Sequence, residues 1–139
     1  MRRLVVDANI LLRGVFGVRV LGLIESYEHS CLFYSPDACF EDARKYIAEL
    51  ATKRGIDPSA GLRTLDQLSR LVEVVDLDVY ASREDMARQR ISSRDVDDWP
   101  IVAAALLLTC PIWTEDQDFF GSGIAVWTTQ NIEVYLKGG

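Results

Sequence analysis

The stretch Arg94–Gly121, RDVDDWPIVAAALLLTCPIWTEDQDFFG, holds the information from which the fold can be read. Asp95, Asp97 and Asp98 stand just before the apolar run Trp99–Leu108. A second short apolar run, Pro111–Thr114, follows almost at once and leads into Glu115, Asp116 and Asp118. Pro100 suits the first turn of a helix, so the spacing predicts a helix over Trp99–Leu108 that starts at Asp97 or Asp98. Pro111–Thr114 predicts a buried strand. Two acidic clusters therefore bracket a helix and a strand that both belong inside. Carboxylates at the edge of a core are costly unless something cationic meets them, and a divalent metal bound by oxygen ligands answers that need.

Outward from this stretch, helices and strands alternate. Leu4–Val6 reads as a buried strand ending at Asp7-Ala8-Asn9. Ile10–Gly22 reads as a short helical or loop segment, then a helix to about Tyr27. Strands are expected at Cys31–Ser35, Leu71–Asp76 and Ile124–Thr128. A helix from Asp37 to about Arg54 opens on Ser35-Pro36-Asp37, with Ser35 as its cap and Gly55 as its stop. Asp57-Pro58 opens another. Tyr80–Ile91 reads as a charged, mostly exposed helix ended by Ser92-Ser93, and Thr129 as the cap of the last helix. This alternation predicts a single domain over 1–139: a three-layer, Rossmann-like α/β domain around a mainly parallel central sheet of about five strands. In such sheets ligands bind beyond the carboxyl ends of the strands. Asp7, Asp116 and Asp118 fall on that edge.

Composition narrows the function. The chain has 139 residues and a formal net charge of −6, which argues against nucleic-acid binding through a broad basic face. A nuclease survives this argument, because a metal site looks acidic until its ions are counted. Cys31, Cys39 and Cys110 form no CxxC pair and sit among apolar neighbours, as reduced thiols of a cytoplasmic protein would. No apolar run is long enough to span a membrane, and no secretory leader is recognisable. His29 is the only histidine, so histidine-based zinc or general-base chemistry is disfavoured.

The candidate constellation is Asp7, Glu41, Asp95, Asp98, Asp116 and Asp118. Asp95 and Asp98 share a helix face if the helix begins early enough. Asp116 and Asp118 point the same way in an extended segment. Glu41 lies about one turn into the helix after the second strand; Asp42, next to it, faces elsewhere. Oxygen ligands without histidine or cysteine suit Mg²⁺ or Mn²⁺. Such ions activate water for attack on phosphorus, and a pair of them about 4 Å apart also stabilises the leaving oxygen. Asn9 and Thr114 are accessory candidates that orient waters or a ligand carboxylate. Asp97 reads best as a helix cap and Asp37 as a first-turn partner of the helix dipole. An acidic surface around an ordinary core is the plain alternative.

The pieces LVVDANILL, FED, RDVDDWPIVAAALLL and CPIWTEDQDFFGSGIAVWTT together resemble the PIN-domain family, in order and spacing and over nearly the whole chain. The resemblance implies a Rossmann-like sheet, dependence on Mg²⁺ or Mn²⁺, and endonuclease activity on RNA. It also implies kinship with VapC-type toxins, which pair with a small antitoxin and work as homodimers. By position it assigns catalytic roles to Asp7, Glu41, Asp98 and Asp116, with Asp42 as the competing register for Glu41 and with Asp95 and Asp118 as companions. The chain departs from the familiar toxins at TEDQDF. A non-catalytic module of the same fold, binding a protein partner or RNA, is the alternative. A phosphatase of the haloacid dehalogenase type ranks last, since it expects DxD where this chain has Asp7-Ala8-Asn9. Arg13, Arg19, Lys45 and Arg94 are the basic groups expected near the site edge, each read individually as a solvated charge or a carboxylate partner before a substrate contact. Trp99, Trp113 and Trp127 are candidate stacking surfaces, with Trp113 better suited to the core.

Overall fold

Leu4, Val5 and Val6 are fully buried, and the strand they end, β1 (Arg2–Val6), is the middle of the sheet. The computed structural model describes residues 1–91 and 95–138. Its other strands are β2 (Cys31–Pro36), β3 (Val72–Val75), β4 (Ile112–Trp113) and β5 (Val126–Trp127). They form one five-stranded sheet in the order β3-β2-β1-β4-β5, parallel at every pairing. The chain thus builds outward from β1 through β2 to β3, then returns to the far side of β1 to lay down β4 and β5. That reversal between β1 and β4 opens a crevice at their carboxyl ends. The β1–β4 register sets Val6 beside Trp113, so Asp7 and Thr114 leave the sheet side by side.

The helices are α1 (Ala8–Phe16), α2 (Arg19–Tyr27), α3 (Asp37–Arg54), α4 (Ser59–Leu68), α5 (Leu77–Tyr80), α6 (Glu84–Arg90), α7 (Trp99–Leu108) and α8 (Ile132–Leu136). α1, α3 and α4 pack together, and α3 also meets β2 and β3; α7 packs on β1 and β2 and is itself packed by α5 and α6. The run Pro100–Ala105 is buried on all sides, which explains its near absence of polar residues. Trp113, fully buried, packs near Phe33 at 6.3 Å between ring centroids.

Several local expectations are revised. α1 begins at Ala8, directly after the strand, because the Asp7 side chain caps it. Ser35 does not cap α3: Pro36 holds that place, and the Ser35 hydroxyl donates to the Val6 carbonyl at 2.7 Å, tying β2 to β1. The expected helix Tyr80–Ile91 is broken by a 3-10 turn at Ala81–Arg83, and Tyr80, Ala87 and Ile91 are buried against α7's layer. Asn131 rather than Thr129 precedes α8, and its side chain accepts from the Thr128 amide at 2.9 Å. Ser92, Ser93 and Arg94 lie outside the described residues. Cys31, Cys39 and Cys110 are free and buried. Among the described residues no helix is long and apolar enough to cross a membrane.

Candidate active site

Asp7 ends the central strand and starts the first helix, and both demands act on one carboxylate. Oδ1 accepts the Ile10 amide at 2.9 Å, and Oδ2 accepts the Thr114 hydroxyl. Thr114 is fully buried and in turn accepts the Asp116 amide at 2.9 Å. The Asp116 carboxylate then accepts the Asp118 amide at 2.9 Å, forming a tight turn. A continuous hydrogen-bonded path therefore runs from the turn after β4 to the carboxylate at the end of β1. Asp7 is only 5 % exposed. Burial pushes its carboxyl above the ordinary range despite these hydrogen bonds, with Asp116 and Glu115 adding repulsion.

The crevice above this pair is a cleft of about 180 Å³. Asp7, Asn9, Asp42, Asp97, Asp98 and Asp116 supply its polar lining, and Cys39, Ile101 and Phe119 are among its apolar wall residues. Asp98 caps nothing with its side chain, although it precedes α7; the Asp95 side chain accepts the Asp97 amide at 3.1 Å instead. Asp98 is left for the cleft, and its carboxyl is pushed up to about 7 by burial first, then by Asp95, Asp116, Asp7 and Asp118. Among the described residues no lysine or arginine forms an ion pair with Asp7, Asp98 or Asp116. The cleft thus concentrates carboxylate oxygens, and the charges of their neighbours help raise Asp7 and Asp98.

Not every expected residue arrives. Glu41 is not part of the lining, whereas Asp42 is, which reverses the expected facing of the two. Glu41 turns toward the Tyr80 side of α3, where its charge acts on the Tyr80 phenol, while Asp42 acts on the buried Cys39 thiol beside the cleft. One residue along an α-helix is a rotation of about 100°, so the two cannot share a face. Asp95 and Asp118 stand behind the lining as turn-formers and as charges felt by Asp98. Asp97 faces the cleft rather than acting as a side-chain cap. Arg13 is held by Asn9 at 3.0 Å and Arg19 by Glu133 at 3.1 Å; Lys45 is exposed on α3. Trp99 is already engaged, with the Tyr80 ring 5.5 Å away in an edge-type contact and the Arg88 guanidinium 5.3 Å from its centroid. Trp113 is core, and its indole donates to Thr129 at 3.1 Å. The cleft-lining Cys39 was not expected, and nothing in its apolar setting signals it.

The donor chemistry suits a hard divalent cation: carboxylate oxygens in an anionic crevice lined by no histidine. Among the described residues no three acidic, cysteine or histidine groups converge into a ready-made metal cage. An open arrangement of this kind is what Mg²⁺ tolerates best, since it keeps several waters and takes one or two carboxylates directly.

The fold recurs in solved structures. VapBC2 from Rickettsia felis, bound to a DNA fragment from its promoter, superposes with a TM-score of 0.72 at 10% identity, over 91% of this chain and 98% of that one. PAE2754 from Pyrobaculum aerophilum gives 0.70 at 16% identity, over 99% and 91%. FitAcB from Neisseria gonorrhoeae gives 0.67 at 17% identity, over 91% and 98%. At such identities the likeness is one of fold. No curated protein matches the sequence significantly. The sequence model of the PIN domain, however, matches residues 5–137, nearly the full length. With that match, the all-parallel sheet and the cleft at its switch point, the chain belongs to the PIN domain family.

Proposed function

We propose that this protein is an Mg²⁺- or Mn²⁺-dependent endoribonuclease and the toxin of a toxin–antitoxin pair. The observation that carries the reading is the gathering of Asp7, Asp42, Asp98 and Asp116 around one cleft, with no ion-pairing lysine or arginine on Asp7, Asp98 or Asp116 among the described residues. Asp7, Asp98 and Asp116 would hold the ion, with Asp42 on the α3 side. When bound, the ion supplies an acidified water and offsets the charge that builds on a phosphodiester under attack. Thr114 and the Asp116 amide keep Asp7 in one rotamer, so its outer lone pairs face the cleft without reorganisation. Ile101 and Phe119 provide apolar wall that limits water beside those oxygens. At about 180 Å³ the cleft is smaller than the 300–1,000 Å³ of pockets that enclose small ligands, so a single phosphate and its flanking riboses lie across it rather than within it.

The partner reading rests on relatives whose structures are toxin–antitoxin complexes, among them one from Klebsiella pneumoniae with a TM-score of 0.65 at 18% identity over 90% of this chain and 96% of that one. A small antitoxin protein is the expected partner, and a homodimer the expected assembly, in the cytoplasm. The second reading, a non-catalytic module that binds RNA or protein, is favoured by the lack of a ready-made metal cage among the described residues. One experiment separates the two. Purified protein is incubated with single-stranded RNA and either ion, alongside Asp7→Asn and Asp98→Asn. Ion-dependent cleavage lost in both variants supports the nuclease; RNA binding with no cleavage and no ion uptake by calorimetry supports the module.

A further inference from the structure

Tyr80 is 1 % exposed and touches neither the sheet's crevice nor its carboxylates, yet it joins the two walls that hold them. Its hydroxyl donates to Asp37 Oδ1 at 2.6 Å. Asp37 begins α3, and the residues directly after it, Ala38 and Cys39, line the cleft together with Asp42. The same carboxylate accepts the Ala38 amide at 2.8 Å through Oδ1 and the Leu77 amide at 3.0 Å through Oδ2. On its other side the Tyr80 ring packs edge-on against Trp99, the residue after Asp98 and the first of α7. Arg88 covers Trp99 at 5.3 Å and is itself held by Glu84 at 2.7 Å. The Asp37 carboxylate accepts three hydrogen bonds, and the Trp99 indole is in contact with both the Tyr80 ring and the Arg88 guanidinium.

We propose that Asp37, Tyr80 and Trp99 form a brace that sets the separation of the α3 and α7 walls, making Tyr80 a positioning residue for the carboxylates of the cleft. The brace rests on the reading of that cleft as a divalent-cation site, and it assigns control of the site's affinity to a residue that never enters it. The α3 wall and the α7 wall come from segments about sixty residues apart. Both helices pack on β2, and the Asp37–Tyr80–Trp99 contacts add a direct tie between them beside the cleft. A hydrogen bond to an ionised carboxylate and an aromatic edge contact are both directional, which is what a fixed distance requires. Asp37 holds α5 at both ends, through the Leu77 amide at its first residue and the Tyr80 hydroxyl at its last, and of these two Tyr80 alone also reaches Trp99.

The test compares Tyr80→Phe with Tyr135→Phe on the full chain. Tyr135 also donates through its hydroxyl, to the Arg3 carbonyl at 2.7 Å, but at the opposite end of the sheet. Two quantities are read: MnCl₂ affinity by calorimetry, and backbone amide resonances of Asp98 and Trp99 in ion-free protein. Tyr80→Phe is expected to weaken Mn²⁺ binding by about tenfold, the lower end for loss of a supporting contact behind a metal ligand, and to shift both amides. Tyr135→Phe is expected to lower the melting temperature and change neither. A Tyr80→Phe protein with wild-type Mn²⁺ affinity, or with unmoved Asp98 and Trp99 amides, overturns the brace. If the wild type itself takes up no Mn²⁺, the nuclease reading fails, and the brace is judged on the amides: shifted, it stands as a structural tie; unmoved, it falls. Should Tyr80→Phe not fold, Asp37→Asn, which keeps the side-chain volume, is read in the same way.

Discussion

The Thr114 hydroxyl donates to the Asp7 carboxylate across a separation of 107 residues in the chain. The pairing follows from register. β1 and β4 run parallel with Val6 beside Trp113, so the next residue of each strand leaves the sheet toward the other. Asp7 is thereby buried with both oxygens engaged, one by Thr114 and one by the Ile10 amide. Replacing Thr114 by Val keeps the shape and removes the donor. The expected loss is about 1–3 kcal/mol in urea unfolding at neutral pH, the cost of leaving a buried acceptor unmatched. Thr114→Ser restores most of it. A Val variant as stable as the wild type would show that the hydroxyl does not hold Asp7.

Asp98 offers a pH test with a definite sign. Its folded-state pKa is raised from 3.8 to about 7, so the folded chain holds this proton more tightly than the unfolded chain. The stabilising contribution of the protonated carboxyl is complete below the unfolded value and is lost as pH climbs through about 7. Asp98→Asn removes the charge that forms in that window. In ion-free buffer the variant should match the wild type near pH 4 and exceed it above pH 7. The gap should be on the order of 1 kcal/mol, since the group is partly exposed and screened. Added Mn²⁺ should reverse the order, stabilising the wild type by about 2.7 kcal/mol at a hundredfold excess over Kd and the variant by less. Parallel melts from pH 4 to 8, with and without the ion, check both signs.

Glu41 and Asp42 are separated by one residue and by opposite expectations. Asp42 lines the cleft and Glu41 does not. Asp42→Asn should weaken Mn²⁺ binding, and any ion-dependent cleavage, by about 10–100-fold. Glu41→Gln should leave both near wild type. Equal losses in the two variants would mean that the α3 wall turns relative to the geometry described above.

Gly123 tests the loop beyond Asp116. Its φ is +84°, and a methyl group there would overlap the Arg90 guanidinium, which donates to the Ser122 carbonyl at 2.9 Å. Gly123→Ala therefore meets both a left-handed backbone and an occupied space. A loss of about 1–3 kcal/mol is expected from thermal or urea unfolding. Arg90→Ala in the same background should recover the steric part and leave the backbone part. A Gly123→Ala protein of unchanged stability would mean that the loop does not keep this conformation.

Much of the architecture was readable in the residues. The β-branched run at Leu4–Val6, the proline at Pro100 and the all-apolar segment behind it specify a buried strand and a buried helix through local chemistry alone. Gly55, with φ +66°, ends α3 for the same local reason. The boundaries that went astray share a different cause. Ser35 and Thr129 both carry hydroxyls suited to capping, and each is drawn instead into a contact with a distant partner, the Val6 carbonyl and the Trp113 indole. Tyr80 looked like the start of an exposed helix because its partners, Asp37 and Trp99, lie far off in sequence.

The same division runs through the site. Aspartates at a strand end, before a buried helix and after a buried strand, mark a place where charge meets the core; spacing offers six candidate carboxylates, of which Asp7, Asp98 and Asp116 line the cleft. Which wall residue joins them is a matter of helix phase and packing: Asp42 shares the α3 face of the cleft-lining Ala38 and Cys39, and Glu41 is turned about 100° from it. Local stereochemistry acts within a few residues, so it can be read along the chain. Strand register, helix rotation and the pairing of groups a hundred residues apart arise from the balance of many long-range contacts, and they exist only once the chain has closed on itself.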